Sequence, residues 1–375
     1  MRKRIVLIFG GRSGEHEISI RSAAAVLENL DPAKYDVTPL AISSEGEWLP
    51  PFKGIDLLPE KVRSFFGDRF SELSCRRLVL APDPSWGGLV ASAGGELHPE
   101  SIGIAFPVLH GTYGEDGTIQ GLLEMADIPY IGCGVLASAT GMDKAFMKML
   151  FRDAGLPMCK YVWFLRDEWS ADKEKIGKQV ETALGFPCFV KPANLGSSVG
   201  ISRSRDRASL QAAIELAAEY DRKIIVEEAV EMREIECAVL GNEMPEASLP
   251  GEYIIRDESK VFLDFTEKYA GTGNNEFVVP APVSEELSNK IRQMAVKAFK
   301  AIDGSGLARV DFFVRKDDGA LLVNEINTMP GLTDASGYPK MWAGSGKTFS
   351  EVIDRLVECA IERHLDKKRN KTTRV

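Results

Sequence analysis

The chain has 375 residues, and its 46 lysines and arginines are outnumbered by 55 aspartates and glutamates, giving a formal charge of −9. That balance argues against a broad surface for nucleic acid or anionic membrane. At 44% hydrophobic and 27% charged residues the composition is globular, and the length suits about two or three domains without disulfide or metal staples.

Cys75, Cys133, Cys159, Cys188, Cys237 and Cys359 lie far apart with no Cys-x-x-Cys pair, and the four histidines show no metal-ligand spacing. This pattern fits a reducing cytosol rather than a disulfide framework or a zinc module. Met1-Arg-Lys-Arg4 and the apolar run Ile5–Phe9 imitate a signal peptide, but the run stops at Gly10-Gly11, so a buried first strand is expected. No stretch approaches the roughly 20 apolar residues that span a bilayer. The expectation is a cytoplasmic protein with neither membrane nor nucleic acid as partner.

The first third alternates strand and helix. Strands are predicted at Ile5–Phe9, Val37–Ile42 and Ile102–Leu109, with a short one at Tyr130-Ile131. Helices are predicted over Glu17–Leu30 and Thr118–Ala126, so a parallel, doubly wound α/β sheet follows. Residues 45–100, rich in Pro, Gly and Ser, read as an insertion of open structure. Next come a helix over Asp143–Ala154, strands at Tyr161–Leu165, Cys188–Lys191 and Ile224–Glu228, and helices over Lys175–Leu184 and Ser209–Tyr220. A strand at Ile235–Leu240 leads into a loop-rich stretch ending at Pro282 and a helix over Glu285–Ile302. Strands Ala308–Val314 and Leu321–Asn327 are joined by the turn Lys316–Gly319, and Phe349–Ile361 repeats at the helical period.

The densest chemistry lies in those last two strands. Alternation places Arg309, Asp311 and Phe313 on one face, and Leu321, Val323, Glu325 and Asn327 on one face of the neighbour. Asp311, Glu325 and Asn327 can then converge as oxygen ligands of the kind magnesium takes together with phosphates and water. Lys191-Pro192 ends a buried strand and must find a counter-charge. Gly196-Ser-Ser-Val-Gly200 after it can close over phosphates or form a polar surface hairpin. Gly10-Gly-Arg-Ser-Gly14 lies between strand and helix, where amides could hold an anion, but it lacks the Gly-x-Gly-x-x-Gly pattern. Glu15 behind it is either a capping charge or a partner for an ammonium group. Gly344-Ser-Gly-Lys-Thr348 lacks both the first glycine and the preceding strand of a Walker loop. Glu267-Lys-Tyr269 sits in a Gly- and Asn-rich loop that is either a lid carrying chemistry or simply a loop.

Together these motifs resemble the ATP-grasp superfamily, and within it the D-alanine–D-alanine ligase family. The resemblance rests on Gly10–Glu15, His110-Gly-Thr-Tyr-Gly-Glu-Asp-Gly-Thr118, Met142-Asp-Lys144, Val190-Lys-Pro192 and Gly196–Gly200. It continues through Glu267-Lys-Tyr269, Arg309-Val-Asp311 and Asn324-Glu-Ile-Asn-Thr-Met-Pro-Gly331, in family order over nearly the whole chain. The 45–100 segment resembles the insertion of the longer members.

The resemblance implies an ATP-grasp fold. Residues 1–142 would form an N-terminal Rossmann-like α/β domain, 143–234 a central α+β subdomain, and 235–375 a C-terminal α+β subdomain. It also implies a homodimer that joins two D-alanines through an acyl phosphate, with ATP and two magnesium or manganese ions. Lys144, Lys191, Ser197, Ser198, Glu227, Glu228, Ala229, Val230, Glu234, Lys268 and Asn324 would then serve the nucleotide, and Asp311, Glu325 and Asn327 the metal. Glu15 would hold the first ammonium, Ser197 would link Glu15 to Tyr269, Arg309 and the Gly331 N–H would serve the oxyanion, and Ser336 the second carboxylate. Tyr269 favours a dipeptide product, since relatives making D-alanyl-D-lactate commonly carry Phe there. Gly337 departs from the Leu that relatives often carry, which leaves D-lactate, D-serine and other carboxylate–amine ligations open. A non-catalytic nucleotide-binding protein on this fold would have lost ligands or lid residues, and none is missing.

Overall fold

The structure is a computed structural model that describes residues 2–69, 77–93, 96–196, 200–255 and 275–371. The run Ile5–Phe9 lies inside β1 (Lys3–Gly10), which pairs in parallel with β2 (Tyr35–Ile42). The 45–100 stretch supplies short helices at Pro51–Leu57 and Glu60–Arg63. It then forms an antiparallel sheet of β3 (Arg77–Leu80), β4 (Gly88–Ala93) and β5 (Glu96–Ser101). Three strands need a surface to bury their apolar face. Leu78, Leu89 and Ala91 find one against Val6, Ile8, Leu40 and Ile119. β6 (Ile104–Val108) takes the other side of β1, giving the order β2-β1-β6, and Tyr130 adds a parallel bridge to Ala105.

A second sheet contains β7 (Tyr161–Leu165), β8 (Cys188–Pro192), β9 (Ser202–Ser204) and β10 (Lys223–Glu228), all antiparallel, in the order β7-β10-β8-β9. One face packs Val162, Phe164, Val190 and Val226 under helices Lys173–Leu184 and Arg207–Tyr220. Alternation turns Lys191 and Glu227 to the opposite face.

The third sheet is built from β11 (Met232–Gly241), β12 (Glu246–Ala247), β13 (Gly251–Ile255), β14 (Asn275–Val278), β15 (Gly306–Arg315) and β16 (Leu321–Asn327). Its order is β14-β13-β11-β15-β16, with β12 also on β11. The stretch expected to be loop-rich therefore contributes three strands. They are too short, and too interrupted by Gly and Pro, to leave a periodic signal. The helix Gly337–Gly344 was equally silent in the sequence.

The first and third sheets share one core. Ile5, Leu7, Phe9 and Phe106 meet Leu240, Leu307, Tyr338 and Trp342, along with Val352, Ile353, Leu356 and Val357 of the helix Phe349–Lys367. Each large apolar side chain buried there contributes about 1.5–3 kcal/mol. Thr348 and Glu351 close a capping box at the start of that last helix. Among the described residues no helix is long and apolar enough to cross a membrane.

Candidate active site

β15 and β16 pair Arg309 with Asn327 and Asp311 with Glu325, but the register shifts beyond Asp311, so that Phe312 meets Val323 and Phe313 meets Leu322. Asn324 is thus an extra residue, a β-bulge that interrupts the alternation. This corrects the expected face: Leu322, not Leu321 or Val323, lies on the side of Glu325 and Asn327. Leu321 and Val323 join Val310, Phe312 and Ile326 in the core.

On the open face Arg309 donates from Nε and Nη2 to the two Asp311 oxygens at 2.7 and 2.6 Å. Asn327 Nδ2 donates to Asp311 Oδ2 at 3.2 Å, and Lys144 Nζ stands 3.5 Å from Glu325. Glu236, on β11 opposite Asp311, brings Oε1 to 3.4 Å from Arg309 Nε. Acidic residues at alternate positions within apolar β11 were the signal that could have singled out Glu236.

Asp143 caps the helix Lys144–Asp153 by accepting from the Ala145 and Phe146 amides, which fixes Lys144 in its first turn. Lys191 Nζ donates to Glu227 Oε2 at 2.9 Å, the counter-charge its position demanded. Lys148 Nζ approaches Glu227 Oε1 at 3.1 Å. Burial opposes the charge of Glu227, yet the two ammonium groups beside it hold its carboxyl down at about 2. Burial likewise opposes the charge of Lys191, while Glu227 and Glu325 hold its pKa above the usual lysine range.

Gly10 carries a positive φ of 86°, where a side chain would collide with the Ile42 carbonyl, so β1 can turn sharply into the helix His16–Asn29. Glu15 stands at the N-cap of that helix, but its side chain makes no capping hydrogen bond. Its Oε2 lies toward Gly111 and Gly196 instead. Behind it His110 is buried, with Nε2 2.9 Å from Ser22 Oγ and Nδ1 3.0 Å from the Met329 carbonyl. Burial works against charge on this ring, but Glu115 at 3.4 Å prevails and raises its pKa. Burial pushes the Glu115 carboxyl up against the pull of His110. The Leu332 N–H also reaches Ser22 Oγ at 3.3 Å, so the Met329–Leu332 turn is tied to the first helix.

These groups converge on one cleft of about 1660 Å³, its open mouth included. Glu15, Lys144, Lys191, Glu227, Glu228, Val230, Glu234, Arg309, Asp311, Asn324, Glu325, Asn327 and Gly331 all line it. Ala229 and Ser336 lie off the wall. The Ala229 N–H donates to the Pro187 carbonyl, and Ser336 Oγ shares a 2.8 Å hydrogen bond with Thr333 Oγ1. Ser197, Ser198, Lys268 and Tyr269 fall outside the described residues. The sequence reading gave no role to Lys148, Ser22, His110, Glu115 or Glu236. Lys148 stands one turn after Lys144 on the same helix face, but spacing alone does not reveal its partner Glu227.

A family model described as D-ala D-ala ligase N-terminus matches residues 4–133, and one described as D-ala D-ala ligase C-terminus matches residues 150–358. The chain belongs to the D-alanine–D-alanine ligase family. It is 45% identical to the D-alanine–D-alanine ligase of Heliobacterium modesticaldum, over 100% of this chain and 99% of that one. The ligase of Bacillus licheniformis is 46% identical, with both chains covered completely. Among solved structures, the D-alanine–D-alanine ligase from Coxiella burnetii superposes with a TM-score of 0.79 at 35% identity, covering 98% of each chain. The VanG D-Ala:D-Ser ligase from Enterococcus faecalis gives 0.81 at 35%, covering 96% of this chain and 100% of that chain. The ATP-grasp fold of the family accounts for the parallel sheet β2-β1-β6 and for the two larger antiparallel sheets, β7-β10-β8-β9 and β14-β13-β11-β15-β16.

Among the described residues no group of three or more His, Cys, Asp or Glu is gathered for a metal. Two carboxylates and a carboxamide are too few to cage an ion, but they suit a cation that completes its shell with phosphate oxygens and water. Asp311 already draws Arg309, and Glu325 draws Lys144, so both oxygens sit where positive charge is favoured. The donor set fits magnesium or manganese.

Proposed function

We propose that this chain catalyses ATP-dependent joining of two D-alanines to D-alanyl-D-alanine, the dipeptide of peptidoglycan precursors, releasing ADP and phosphate. The observation that carries the reading is the convergence of Lys144, Lys191, Arg309, Asp311, Glu325, Asn327 and Glu15 on one cleft in a chain of this family. A carboxylate is a poor acyl donor, so the γ-phosphoryl group of ATP first passes to the carboxylate of the first D-alanine. The amine of the second D-alanine then attacks that carbonyl, loses a proton and displaces phosphate.

Most of the protein's work is positioning and charge neutralisation. Lys144 and Lys191 take the nucleotide phosphates. Glu227, Glu228, Ala229, Val230 and Glu234, at the junction of β10 and β11, with Asn324 nearby, serve the adenine and ribose end. Glu15 takes the first ammonium, with Arg12 stacked on Tyr113 at 4.6 Å on the neighbouring loop. Arg309 and the Gly331 N–H stabilise the oxyanion of the tetrahedral intermediate. Ser336, at the start of the helix Gly337–Gly344, takes the second carboxylate; Ser197, Ser198 and Lys268 serve the nucleotide, and Ser197 links Glu15 to Tyr269. Asp311, Glu325 and Asn327 would hold two magnesium or manganese ions, which when bound neutralise phosphate charge. The domain division at 142 and 234, a homodimer and a cytoplasmic location complete the reading, and sedimentation of the purified chain checks the dimer. The deciding experiment is product identification from D-alanine, D-serine and D-lactate in competition, with ATP and magnesium. D-alanyl-D-alanine as the main product is expected, and preference for either competitor at neutral pH overturns the reading.

A further inference from the structure

We propose that Lys148 is a positioning residue for the nucleotide: it shares the Glu227 carboxylate with Lys191 and so leaves Lys191 positively charged in effect toward the phosphates. The inference rests on the ATP-dependent reading above. Lys148 does not touch the cleft; its side chain is 1% exposed, beneath the Tyr161 ring whose centroid lies 5.7 Å from Nζ. Burying an ammonium there is costly, and the fold itself does not need it. An apolar side chain could cover the same helix face, and Lys191 with Glu227 would by themselves form a neutral pair.

The third charge changes the balance. With Lys144 and Glu325, which also faces Lys191, the cluster holds three lysines against two carboxylates, a surplus of 3 − 2 = +1 that Lys148 alone supplies, with Glu227 only 3% exposed. A carboxylate held by Lys148 on one oxygen and Lys191 on the other cannot cancel both fields. Lys191 is the member that lines the cleft, so the uncancelled charge is presented there. Screening is weak in such an interior, and the surplus acts over several ångströms. Lys148 therefore works through Glu227 on Lys191, while Glu227 fixes where the Lys191 ammonium stands.

The test compares Lys148→Met and Lys148→Arg with the unaltered protein by calorimetric titration of ATP and of adenosine, and by steady-state kinetics. Lys148→Met is expected to weaken ATP binding and raise its KM on the order of tenfold, about 1.4 kcal/mol. Adenosine binding and kcat should stay nearly unchanged, and Lys148→Arg should restore ATP affinity. The proposal is overturned if Lys148→Met binds ATP normally or if ATP and adenosine weaken equally. It is also overturned if that variant fails to fold, because the remaining pair is neutral and should be tolerated. Failure of the unaltered protein to bind ATP would instead refute the underlying function, so the two failures are distinct.

Discussion

Replacing Gly337 by alanine tests how tightly the start of the helix Gly337–Gly344 is packed against Glu236 and Phe277. A Cβ there would lie 2.8 Å from Phe277 Cζ and 3.2 Å from Cε2, and closer still to Glu236 Oε2. Both neighbours are already engaged. The Phe277 ring packs on Tyr253 with centroids 4.6 Å apart, and Glu236 is 4% exposed with Arg309 beside it. Alanine is the better helix former by at most about 1 kcal/mol. Overpacking costs about 1–3 kcal/mol, so after that gain Gly337→Ala should lose a net of up to about 2 kcal/mol. Trp342 is buried on the same short helix and is one of five tryptophans, so circular dichroism in urea titrations, followed beside tryptophan fluorescence, reads the loss. Displacing Glu236 also takes away one of the two carboxylates beside Arg309, which Asp311 alone then holds, and kcat should fall with D-alanine as acceptor. An unchanged urea midpoint together with unchanged turnover would show that the close packing around Gly337 does not matter.

Asp311→Ala and Glu325→Ala should each abolish turnover and weaken manganese binding measured by electron paramagnetic resonance, with circular dichroism preserved; near-normal activity in either removes the metal assignment. Glu227, held down at about 2, contributes stability that is full above its unfolded value of 4.5 and is lost as pH falls from there through about 2. Urea midpoints measured from pH 5 to pH 2 should decline across that window, and a flat profile contradicts the ion-pair account. Burial raises the thiols of Cys133, Cys159, Cys188 and Cys359 to about 11 and of Cys237 to about 12. At pH 8 the thiolate fraction of each is then about one in a thousand or less. A disulfide reagent should leave these five unlabelled until the protein unfolds, and mass spectrometry of the native reaction would expose any error.

What the sequence reveals follows periodicity and charge. Ile5–Phe9, the helix after Asp143 and the last helix were legible because each buries a regular face or carries a cap. Lys191 was legible because a lysine ending an apolar strand demands an acid. Lys148 escaped because its partner, Glu227, lies on a distant strand, and only folding reveals that one carboxylate serves two lysines. Ser22 and His110 escaped for a similar reason: their partners, Leu332 and Met329, lie far along the chain. β12, β13 and β14 were hidden because they are edge or near-edge strands of two to five residues, which take their conformation from a neighbour, β11 for β12 and β13 and β13 for β14, rather than from their own pattern. The face of β16 was misjudged because alternation assumes a ladder with no extra residue.

That extra residue sets how densely chemistry can be written along a strand. Same-face side chains of a regular strand stand two residues, roughly 6.6 Å, apart. β15 keeps to that ruler with Arg309 and Asp311. β16 repeats a mark on it, so that Asn324 and its immediate neighbour Glu325 both border the cleft, with Asn327 two residues on. Removing Asn324 would restore an even ruler and still leave Glu325 opposite Asp311. The strand can therefore shed one cleft-lining side chain without moving the rest, and a length change here alters the cleft wall while the core face stays fixed.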